Sequence, residues 1–520
     1  MGSHAHTLKK TFSPGKDICS PGSEEEKAMF LDLQKSLRQQ FENIFPDKLA
    51  PRTVVIIPSF SLDEEILSKI KGHTFYEERL LCLLMLLRMP LTKVIYVTSV
   101  PVDNLIIDYY LHLLPGITGV HARQRLTMLS CYDSSSKPLT KKILERPRLV
   151  ERIRQHISNV DEAHLTCFNV TSLEKTLAVQ LGIPLFGTDP DLFYEGTKSG
   201  GRKIFKSAAV SIPAGFEDLR TREDVVNSLA NLKKSNPALR KAVVKMNDGF
   251  SGEGNAVYHF ETSVDANTEK NIDESMATHL KIIAKGLTEK GFFEKVHEMG
   301  GIVEEFIDAE IKTSPSVQCL ITPLGNIEVL STHDQLLGGD DGQEFIGASF
   351  PATDEYNISL AADGKKIAEV LAKKGVLGRF AIDFISVKRD NDWIHYAIEI
   401  NLRKGGTTHP YFMLQFLTDG VYNAEKGEYL TASGNKRFYF STDNVCKECY
   451  KGLTPSDLID IAMYHSLMYD GAAQQGVIFH LVGALSQYGK LGLVCIGETA
   501  EKAKEYYDKV IYVLDKECEI

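Results

Sequence analysis

The stretch YAIEINLRKGGTTHP, residues 396–410, alternates apolar and polar side chains and then breaks at two glycines. Successive side chains of a β-strand point to opposite faces of the sheet, so Glu399, Asn401 and Arg403 are predicted to share one face. The isoleucines and the leucine between them line the other face. A strand whose polar side simply faces water needs no such row of carboxylate, amide and guanidinium groups, so we predict that this face serves a binding site.

The segment just before it, GRFAIDFISVKRD at residues 378–390, is predicted to be a second strand, joined to the first by a tight turn. Antiparallel pairing then brings Asp383 opposite, or nearly opposite, Glu399, with Asn401 on the same patch. Two carboxylates this close repel each other unless a cation lies between them. Oxygen ligands without histidine or cysteine favour magnesium, although a salt-bridged surface strand is the alternative interpretation.

The composition of the whole chain narrows the class of protein. The 520 residues are enough for about three domains, and the net charge of -10 argues against a general nucleic-acid binder. The longest apolar run, LLCLLMLL at 80–87, is too short to span a membrane, so we expect a cytoplasmic enzyme. Nine dispersed cysteines indicate free thiols, and the CxxC pair Cys446 and Cys449 is only half of a zinc site.

The first part of the chain has the pattern of a parallel α/β sheet. Residues 1–50 are predicted to be an extension that ends in an amphipathic helix, and strands alternate with helices over 51–190. A helix is predicted to start at a capping box formed by Thr171 and Glu174. No glycine-rich fingerprint follows the first strand, which disfavours a nicotinamide or flavin cofactor.

A second motif indicates phosphate binding. In KMNDGFSGEGNA, residues 245–256, three glycines lie between two predicted strands and Lys245 stands in the strand that precedes them. Backbone N–H groups of such a loop can approach phosphate oxygens, and a lysine in an apolar strand needs an anion. The loop is not a Walker motif, and taken alone it is equally typical of a plain hairpin.

The segment GGIVEEFIDAEI, residues 300–311, is predicted to be a strand that carries acidic residues. An edge strand of this kind can read an adenine through its backbone while nearby acids bind the ribose. An ordinary strand with exposed acids is the alternative.

The order of these motifs resembles the ATP-grasp ligases, with EINLR and KMNDGFSGEG as the specific matches and VEEFID as a looser one. More narrowly, the chain is similar to the pheganomycin-type peptide ligases and to the ATP-grasp portion of IQ-motif proteins, through PSFSLDEE, FYEERLL, YVTSVP, KILERPR, GTKSGGRKIF and NLRKGGTTHP. The resemblance covers about residues 50–515. It implies a mixed α/β and α+β fold: a Rossmann-like pre-ATP-grasp domain over 51–190, an ATP-grasp domain over 191–430 whose lobes meet near 310, and a small α+β subdomain over 431–520.

The resemblance also implies roles for individual residues. ATP would be bound by Lys198 or its neighbour Arg202, and by Lys245, Gly249, Ser251, Gly252, Gly254, Glu304, Glu305, Phe306, Ile307 and Glu310. Asp383, Glu399 and Asn401 would ligate two magnesium ions, with Mn²⁺ as an alternative metal. Arg403 would steady the transferring phosphoryl group, with help from Arg379.

The implied reaction is the joining of a carboxylate to an amine or peptide through an acyl phosphate, with release of ADP and phosphate. We hypothesise that Thr407, Thr408 and His409, next to the metal strand, bind the acyl carboxylate; a structural turn is the alternative, and His480 is interpreted as a core histidine. Other ATP-grasp chemistry (a thioester ligase or a phosphotransferase) and a regulatory nucleotide-binding protein stay open. The expected partners are small molecules, without nucleic acid or a membrane, and a homodimer is left open.

Overall fold

The computed structural model describes residues 19–249, 254–263, 267–283, 287–338 and 344–518. Over these residues the chain forms a four-stranded, a five-stranded and a nine-stranded sheet, together with one small two-stranded sheet. No helix within the described ranges is both long enough and apolar enough to cross a bilayer.

The four-stranded sheet is parallel and has the order β3-β2-β1-β4, as the alternating pattern over 51–190 predicted. Its strands are β1 (Arg52–Ile57), β2 (Thr92–Thr98), β3 (Leu126–Ser130) and β4 (Ala163–Cys167). The helices of this region are α1 (Glu24–Asn43), α2 (Glu64–Lys69), α3 (Asn104–His112), α4 (Gly119–Arg123), α5 (Leu139–Leu144), α6 (Pro147–His156) and α7 (Ser172–Leu181). The predicted capping box is confirmed at the start of α7, where Thr171 and Glu174 satisfy each other's backbone N–H groups.

One predicted helix of this region is wound differently. The apolar segment His73–Arg88 forms 3₁₀ turns rather than an α-helix. Its side chains are buried almost all round, because it lies between the parallel sheet and the C-terminal part of the chain.

The five-stranded sheet is antiparallel and has the order β5-β9-β6-β7-β8. Its strands are β5 (Gly215–Leu219), β6 (Lys241–Met246), β7 (Asn255–His259), β8 (Leu280–Ile282) and β9 (Gly301–Glu305). Three helices pack on this sheet, α9 (Arg222–Ser235), α10 (Glu269–His279) and α11 (Glu289–Met299), whereas the apolar residues of α8 (Lys198–Ser207) pack in the core of the nine-stranded sheet. The predicted strand–loop–strand pattern around the glycines is confirmed by the pairing of β6 with β7.

The nine-stranded sheet contains the strands of the opening motif. Its members are β10 (Lys312–Thr313), β11 (Pro315–Ile321), β12 (Ile327–Gly338), β13 (Glu344–Phe350), β14 (Gly378–Arg389), β15 (Asp392–Asn401), β18 (Phe438–Cys446), β19 (Gly476–His480) and β20 (Lys490–Gly497), while β16 (Val421–Asn423) and β17 (Glu428–Leu430) pair separately. The remaining helices are α12 (Asn357–Lys373), α13 (Thr408–Thr418), α14 (Pro455–Tyr464), α15 (Leu485–Tyr488) and α16 (Ala500–Glu517). Strands β11 and β12 pair as a hairpin whose turn contains Gly325, and Gly375 has a positive φ of 89° just after α12.

The sheet continues across the boundary predicted at residue 430. Strand β18 pairs with β13, and β20 with β19 extends the same sheet further. Buried residues of β19 and β20 also share one apolar core with the segment His73–Arg88 and the parallel sheet. The C-terminal part is therefore continuous with the sheet before it, and the limits of the predicted C-terminal subdomain stay a prediction.

Candidate active site

Two acidic side chains lie directly opposite each other on strands β14 and β15. Asp383 pairs with Glu399, and the register shifts by one residue immediately afterwards. Nδ2 of Asn401 donates a hydrogen bond of 2.8 Å to Oδ2 of Asp383. The predicted convergence of these three oxygen-bearing side chains is therefore confirmed as a geometry, because the antiparallel register and the two-residue period place them on one face.

A residue on a third strand also contacts Asp383, and it was not predicted from the sequence. Nε2 of Gln335, on β12, donates a 2.7 Å hydrogen bond to Oδ1 of Asp383. Burial raises the pKa of Asp383 to about 7, the nearby charge of Glu399 raises it as well, and the two amide donors only partly offset these effects. A cation bound between the two carboxylates would stabilise the ionised form.

The pKa of Glu399 is shifted in the opposite direction. Burial favours its neutral form, but the positive charges of Lys198, Lys245 and Arg403 outweigh burial and lower the pKa of the carboxyl. Nζ of Lys198 lies 3.4 Å from Oε1 of Glu399. Glu399 is thus the point at which basic side chains from both antiparallel sheets meet.

The two lysines approach the carboxylates from the side of the five-stranded sheet. Lys198 is the first residue of α8, and Lys245 is the second-last residue of β6. Their exposed fractions are only 8% and 9%. Nζ of Lys245 lies 2.5 Å from Oε1 of Glu304, so this cation already has one buried partner. Two nearly buried ammonium groups beside a pair of carboxylates form a place where a polyanion can bind.

Arg202 does not share this position, which corrects its assignment as an alternative to Lys198. Its guanidinium is only 2% exposed, and it pairs with Oε2 of Glu304 at 3.1 Å and with Oε2 of Glu217 at 3.2 Å. It also donates to the carbonyl of Pro213 at 3.0 Å. Because its donors are committed inside the protein, Arg202 positions Glu304, and Glu304 in turn positions Lys245.

The predicted adenine hinge, residues 304–307, spans the end of β9. The N–H groups of Glu305 and Phe306 donate to carbonyls of neighbouring segments, at 2.8 Å and 3.1 Å. The carboxylate of Glu305 accepts a hydrogen bond of 3.0 Å from the N–H of Ala214. Glu310, the candidate ribose ligand, is exposed. Two of the N–H groups of this segment are therefore already hydrogen-bonded within the protein, and the contact of the segment with adenine stays a prediction.

The glycine loop is only partly described. Gly249 is exposed, while Gly254 is buried and its carbonyl accepts a 2.9 Å hydrogen bond from the N–H of Met246. Ser251 and Gly252 lie outside the described residues. The role of the loop in phosphate binding stays a prediction.

The loop after β15 is stabilised by its own polar groups. The N–H of Gly405 donates to Oγ1 of Thr408 at 2.9 Å, and Oγ1 of Thr408 donates to Oε1 of Gln318 at 3.1 Å. The carbonyl of Thr407 accepts from Nε2 of Gln318 at 2.8 Å. Both threonines are buried, and a side chain at Gly406 would clash with the ring of Phe345 at 2.7 Å. This geometry supports the structural alternative and not acyl binding by Thr407 and Thr408.

His409 is also directed away from the predicted acyl site. Its Nε2 lies 2.9 Å from Nε2 of His480 and 3.2 Å from Oδ1 of Asp443. Nε2 of His480 lies 2.7 Å from the same oxygen of Asp443, and Nη1 of Arg79 lies 3.4 Å from Oδ2. Asp443 and Arg79 were not predicted, because no local pattern links residues that are so far apart in the sequence. His480 is buried, as predicted, but it has polar partners.

A second group of cations faces the carboxyl end of the parallel sheet. A cleft is lined there by Phe168, Asn169 and Thr188 on one side and by Arg379, Arg403 and Lys404 on the other. Burial lowers the pKa of Lys404 to about 8 and that of Arg379 to about 10. Nη1 of Arg379 is buried, with no hydrogen-bond partner in the described part of the chain. Ligands of α/β sheets bind at this end of the strands, and these cations fit a carboxylate.

The donor set around Asp383 fits a hard divalent cation. Asp383, Glu399 and Asn401 offer carboxylate and amide oxygens, with no imidazole or thiol among them. The raised pKa of the buried Asp383 indicates a negative charge that the protein alone does not neutralise. Together with the two lysines, these residues can hold a metal–polyphosphate complex.

Comparisons with known proteins agree with this geometry. A family model described as "IQCH-like, ATP-grasp" matches residues 192–281 and 261–425, and one described as "PGM1 C-terminal domain" matches residues 457–510. The chain is 28% identical over 463 residues to the L-propargylglycine–L-glutamate ligase of Streptantibioticus cattleyicolor, covering 87% of this chain and 92% of that one. It is 24% identical over 519 residues to IQ motif-containing protein H of Danio rerio, covering 90% of this chain and 49% of that one.

A solved structure shares the fold. The biotin carboxylase domain of the 2-oxoglutarate carboxylase of Hydrogenobacter thermophilus, determined with MgADP and bicarbonate, superimposes with a TM-score of 0.53 at 13% identity. The match covers 89% of each chain. The predicted fold class, with a Rossmann-like sheet ahead of two antiparallel sheets, is confirmed.

Proposed function

This chain belongs to the ATP-grasp superfamily, and from that premise we propose that it joins the carboxylate of one amino acid to the amine of another. It is an ATP-dependent ligase of the carboxylate–amine type. The observation that carries the proposal is the pair Asp383 and Glu399, which lie opposite each other beneath Lys198 and Lys245. A polyphosphate with bound metal is the ligand that such a set of charges accommodates.

We place ATP between the five-stranded and the nine-stranded sheets. Lys198 and Lys245 would neutralise the phosphates, and Asp383, Glu399 and Asn401 would hold Mg²⁺, as two ions, with Mn²⁺ as an alternative. Bound Mg²⁺ neutralises charge on the phosphate oxygens and keeps the triphosphate in line with the attacking group. The residues themselves supply position and fixed positive charge, which is most of what phosphoryl transfer requires.

The first chemical step forms an activated acid. An oxygen of the substrate carboxylate attacks the γ-phosphorus of ATP, the bond from that phosphorus to the β–γ bridging oxygen breaks, and ADP leaves. Arg403 carries a charge close to Glu399 and Asp383, so it can stabilise the negative charge on the transferring group.

The second step forms the amide. The neutral amine of the second substrate attacks the acyl carbon, the bond from that carbon to the phosphate oxygen breaks, and inorganic phosphate leaves as the nitrogen loses a proton. The acyl phosphate must be shielded from water, and we place it at the cleft between the parallel sheet and Arg379, next to the site.

We propose an acidic amino acid such as L-glutamate as one substrate. The relative from Streptantibioticus cattleyicolor has L-glutamate in its name. In this chain, Arg379 and Lys404 bring two cations to the cleft, and Nη1 of Arg379 has no hydrogen-bond partner within the described residues. A substrate carboxylate would pair with these groups. The substrates are small molecules in the cytoplasm, without nucleic acid or a membrane, and a homodimer stays a prediction.

The test is to incubate the full chain with ATP, MgCl₂ and pools of amino acids that include L-glutamate, and to follow ADP, phosphate and coupled products by mass. A carboxylate labelled with ¹⁸O should transfer one labelled oxygen to the released phosphate, because that oxygen bridges the acyl carbon and the phosphorus. Glu399→Gln should abolish turnover, and Asp392→Asn, at the exposed start of the same strand, should not.

Three outcomes would contradict the proposal. ADP without free phosphate would indicate a phosphotransferase, and a product that requires a thiol instead of an amine would indicate a thioester ligase. Tight ATP binding without turnover in any pool would favour a regulatory protein, the interpretation suggested by the similarity to IQ motif-containing protein H.

A further inference from the structure

Three side chains from three separate elements converge at a buried point that the proposed ligase reaction does not use. His409 stands in the first turn of α13, Asp443 lies on β18, and His480 is the last residue of β19. One ligand atom from each lies close to the other two, with separations of 2.7, 2.9 and 3.2 Å. Both histidines are only 2% exposed.

Hydrogen bonds alone do not satisfy all three contacts of this cluster. A neutral imidazole carries one N–H. If both histidines carry the proton on Nε2, two N–H groups face each other across 2.9 Å. If one histidine has no proton on Nε2, the lone pair of that nitrogen faces the carboxylate oxygen Oδ1 of Asp443. With an ionised Asp443, at least one of the three contacts is therefore repulsive in every case. A cation that accepts all three lone pairs removes the conflict.

The surroundings fix the His480 ring and orient the carboxylate of Asp443. His480 is paired with Gly492 of the neighbouring strand, and a side chain at Gly492 would come within 2.1 Å of Nε2 of His480. Glycine at that position therefore lets the ring adopt the orientation in which Nε2 meets the other two ligand atoms. Nη1 of Arg79 lies 3.4 Å from Oδ2 of Asp443, so the other oxygen, Oδ1, is the one presented to the histidines.

We propose that His409, Asp443 and His480 bind one divalent transition-metal ion, for which Zn²⁺ is the best match. Two imidazoles and a carboxylate are ligands that zinc commonly takes, and three protein ligands leave one position for water. The donor set differs in kind from the all-oxygen set at Asp383, so magnesium is not expected here. The Nδ1 atoms of both histidines lack a protein partner over the described residues. Since such outer partners strengthen metal binding, we expect a reversible site of moderate affinity.

The position of the ion suggests a structural role. It would fasten the start of α13, which follows the loop after the metal-binding strand, to β18 and β19 of the C-terminal part. Through Arg79 it would also connect to the segment His73–Arg88 beside the parallel sheet. The inference is independent of the ligase reaction.

The experiment uses the full chain, stripped with a chelator and brought to equilibrium by dialysis against buffered Zn²⁺, with metal analysis of the protein and the buffer compartments. His4 and His6 near the N terminus can bind metal adventitiously, so all measurements use a background in which both are glutamine. We expect about one equivalent of zinc per chain. His480→Gln and Asp443→Asn should each retain at most a tenth of that amount.

Matched controls distinguish this site from others. His465 lies 3.1 Å from Glu517 in a half-buried pair, so His465→Gln removes a comparable histidine–acid pair and should keep the zinc. Glu399→Gln should also keep it, since it affects only the all-oxygen site. A cobalt-loaded sample should show ligand-field bands and no thiolate charge-transfer band. A charge-transfer band would indicate that Cys446 and Cys449 bind the metal instead.

A variant that fails to fold would not leave the question open, because the unmodified chain gives an independent answer. Zinc should raise its Tm by several degrees, and the Asp443→Asn variant, checked by circular dichroism, should not respond. The proposal would be overturned if the chain with only His4 and His6 replaced bound less than a tenth of an equivalent of zinc and of cobalt. It would also be overturned if the His480→Gln variant bound as much zinc as that chain.

Discussion

Asp383 and Glu399 face each other across two paired strands, and their pKa values are shifted in opposite directions. The difference arises from their neighbours, because three cations outweigh the effect of burial at Glu399, whereas the amide donors to Asp383 offset burial and the charge of Glu399 only in part. A single sheet register thus produces one carboxylate that resists ionisation and one that favours it. A bound divalent ion needs both to be ionised, which makes this pair the most sensitive point of the site.

Replacing either carboxylate with its amide should abolish nucleotide turnover. We expect Asp383→Asn and Glu399→Gln to lower the rate of ADP formation by on the order of 100-fold or more, since each removes a charge that positions the metal and the phosphates. Thermal unfolding should change little. Asp392→Asn, in the same strand but exposed, is the control, and unchanged turnover in the Glu399 variant would remove the site from its proposed role.

Removing either lysine should weaken ATP binding. In the proposed site, Lys198→Met and Lys245→Met would each delete a charge-assisted contact to phosphate, so we expect the dissociation constant of ATP to rise by about 10- to 100-fold. Isothermal titration with a non-hydrolysable ATP analogue gives the constant directly. Lys206, exposed on the same helix as Lys198, and Lys281, exposed on β8, provide control variants whose affinity should match that of the unmodified chain.

Gln335 should act through Asp383 and not through the substrates. Gln335→Leu removes the 2.7 Å hydrogen bond to Oδ1, so we expect the apparent affinity for Mg²⁺ to fall by about 10- to 100-fold while kcat at saturating Mg²⁺ changes much less. The measurement is a magnesium titration of ADP formation. Glu328→Gln, at the exposed beginning of β12, is the control; a loss of kcat that excess Mg²⁺ does not restore would argue for a different role.

Because of Glu77, the folded protein should be less stable at pH 8 than it would be with an uncharged residue at this position. Burial raises its pKa from the ordinary 4.5 to about 7, while hydrogen bonds from Ser99 lower it only in part. The folded state therefore holds a proton that the unfolded state has lost, so the contribution of Glu77 to stability is greatest below pH 4.5 and is lost as pH rises through about 7.

Glu77→Gln should remove this loss, because the amide does not ionise. A tenfold difference in proton affinity between the folded and unfolded states corresponds to about 1.4 kcal/mol, so we expect the variant to gain about 2 kcal/mol over the unmodified chain between pH 5 and pH 8. Tm measured at both values gives the comparison, and Glu65→Gln, exposed on α2, is the control. A difference in Tm that is the same at pH 5 and pH 8 would exclude titration as the cause.

Much of the fold follows from short-range patterns in the sequence. The alternation of polar and apolar residues in β15, together with the turn before it, determines which residue faces Asp383. The capping box at Thr171 is likewise a local signal, and the structure confirms it.

The parts that could not be predicted depend on contacts between distant segments. The contact of Gln335 with Asp383 could not be predicted from its strand alone, because it depends on β12 and β14 lying on either side of β11. Arg202 was interpreted as a ligand because it is basic and close to Lys198, but its pairing with Glu217 and Glu304 depends on β5 and β9. Asp443 and His480 meet His409 only because the sheet continues past residue 430.

That continuation has a practical consequence for shortened versions of the protein. Cutting the chain at residue 430 would remove β18, the partner of Ala348, Ser349 and Phe350 in β13. The cut would leave an open edge strand beside the uncovered ring of Phe350, a surface that invites aggregation. A catalytic fragment that ends there is therefore expected to be insoluble on expression, whereas one that extends through Glu517 keeps β13 paired with β18.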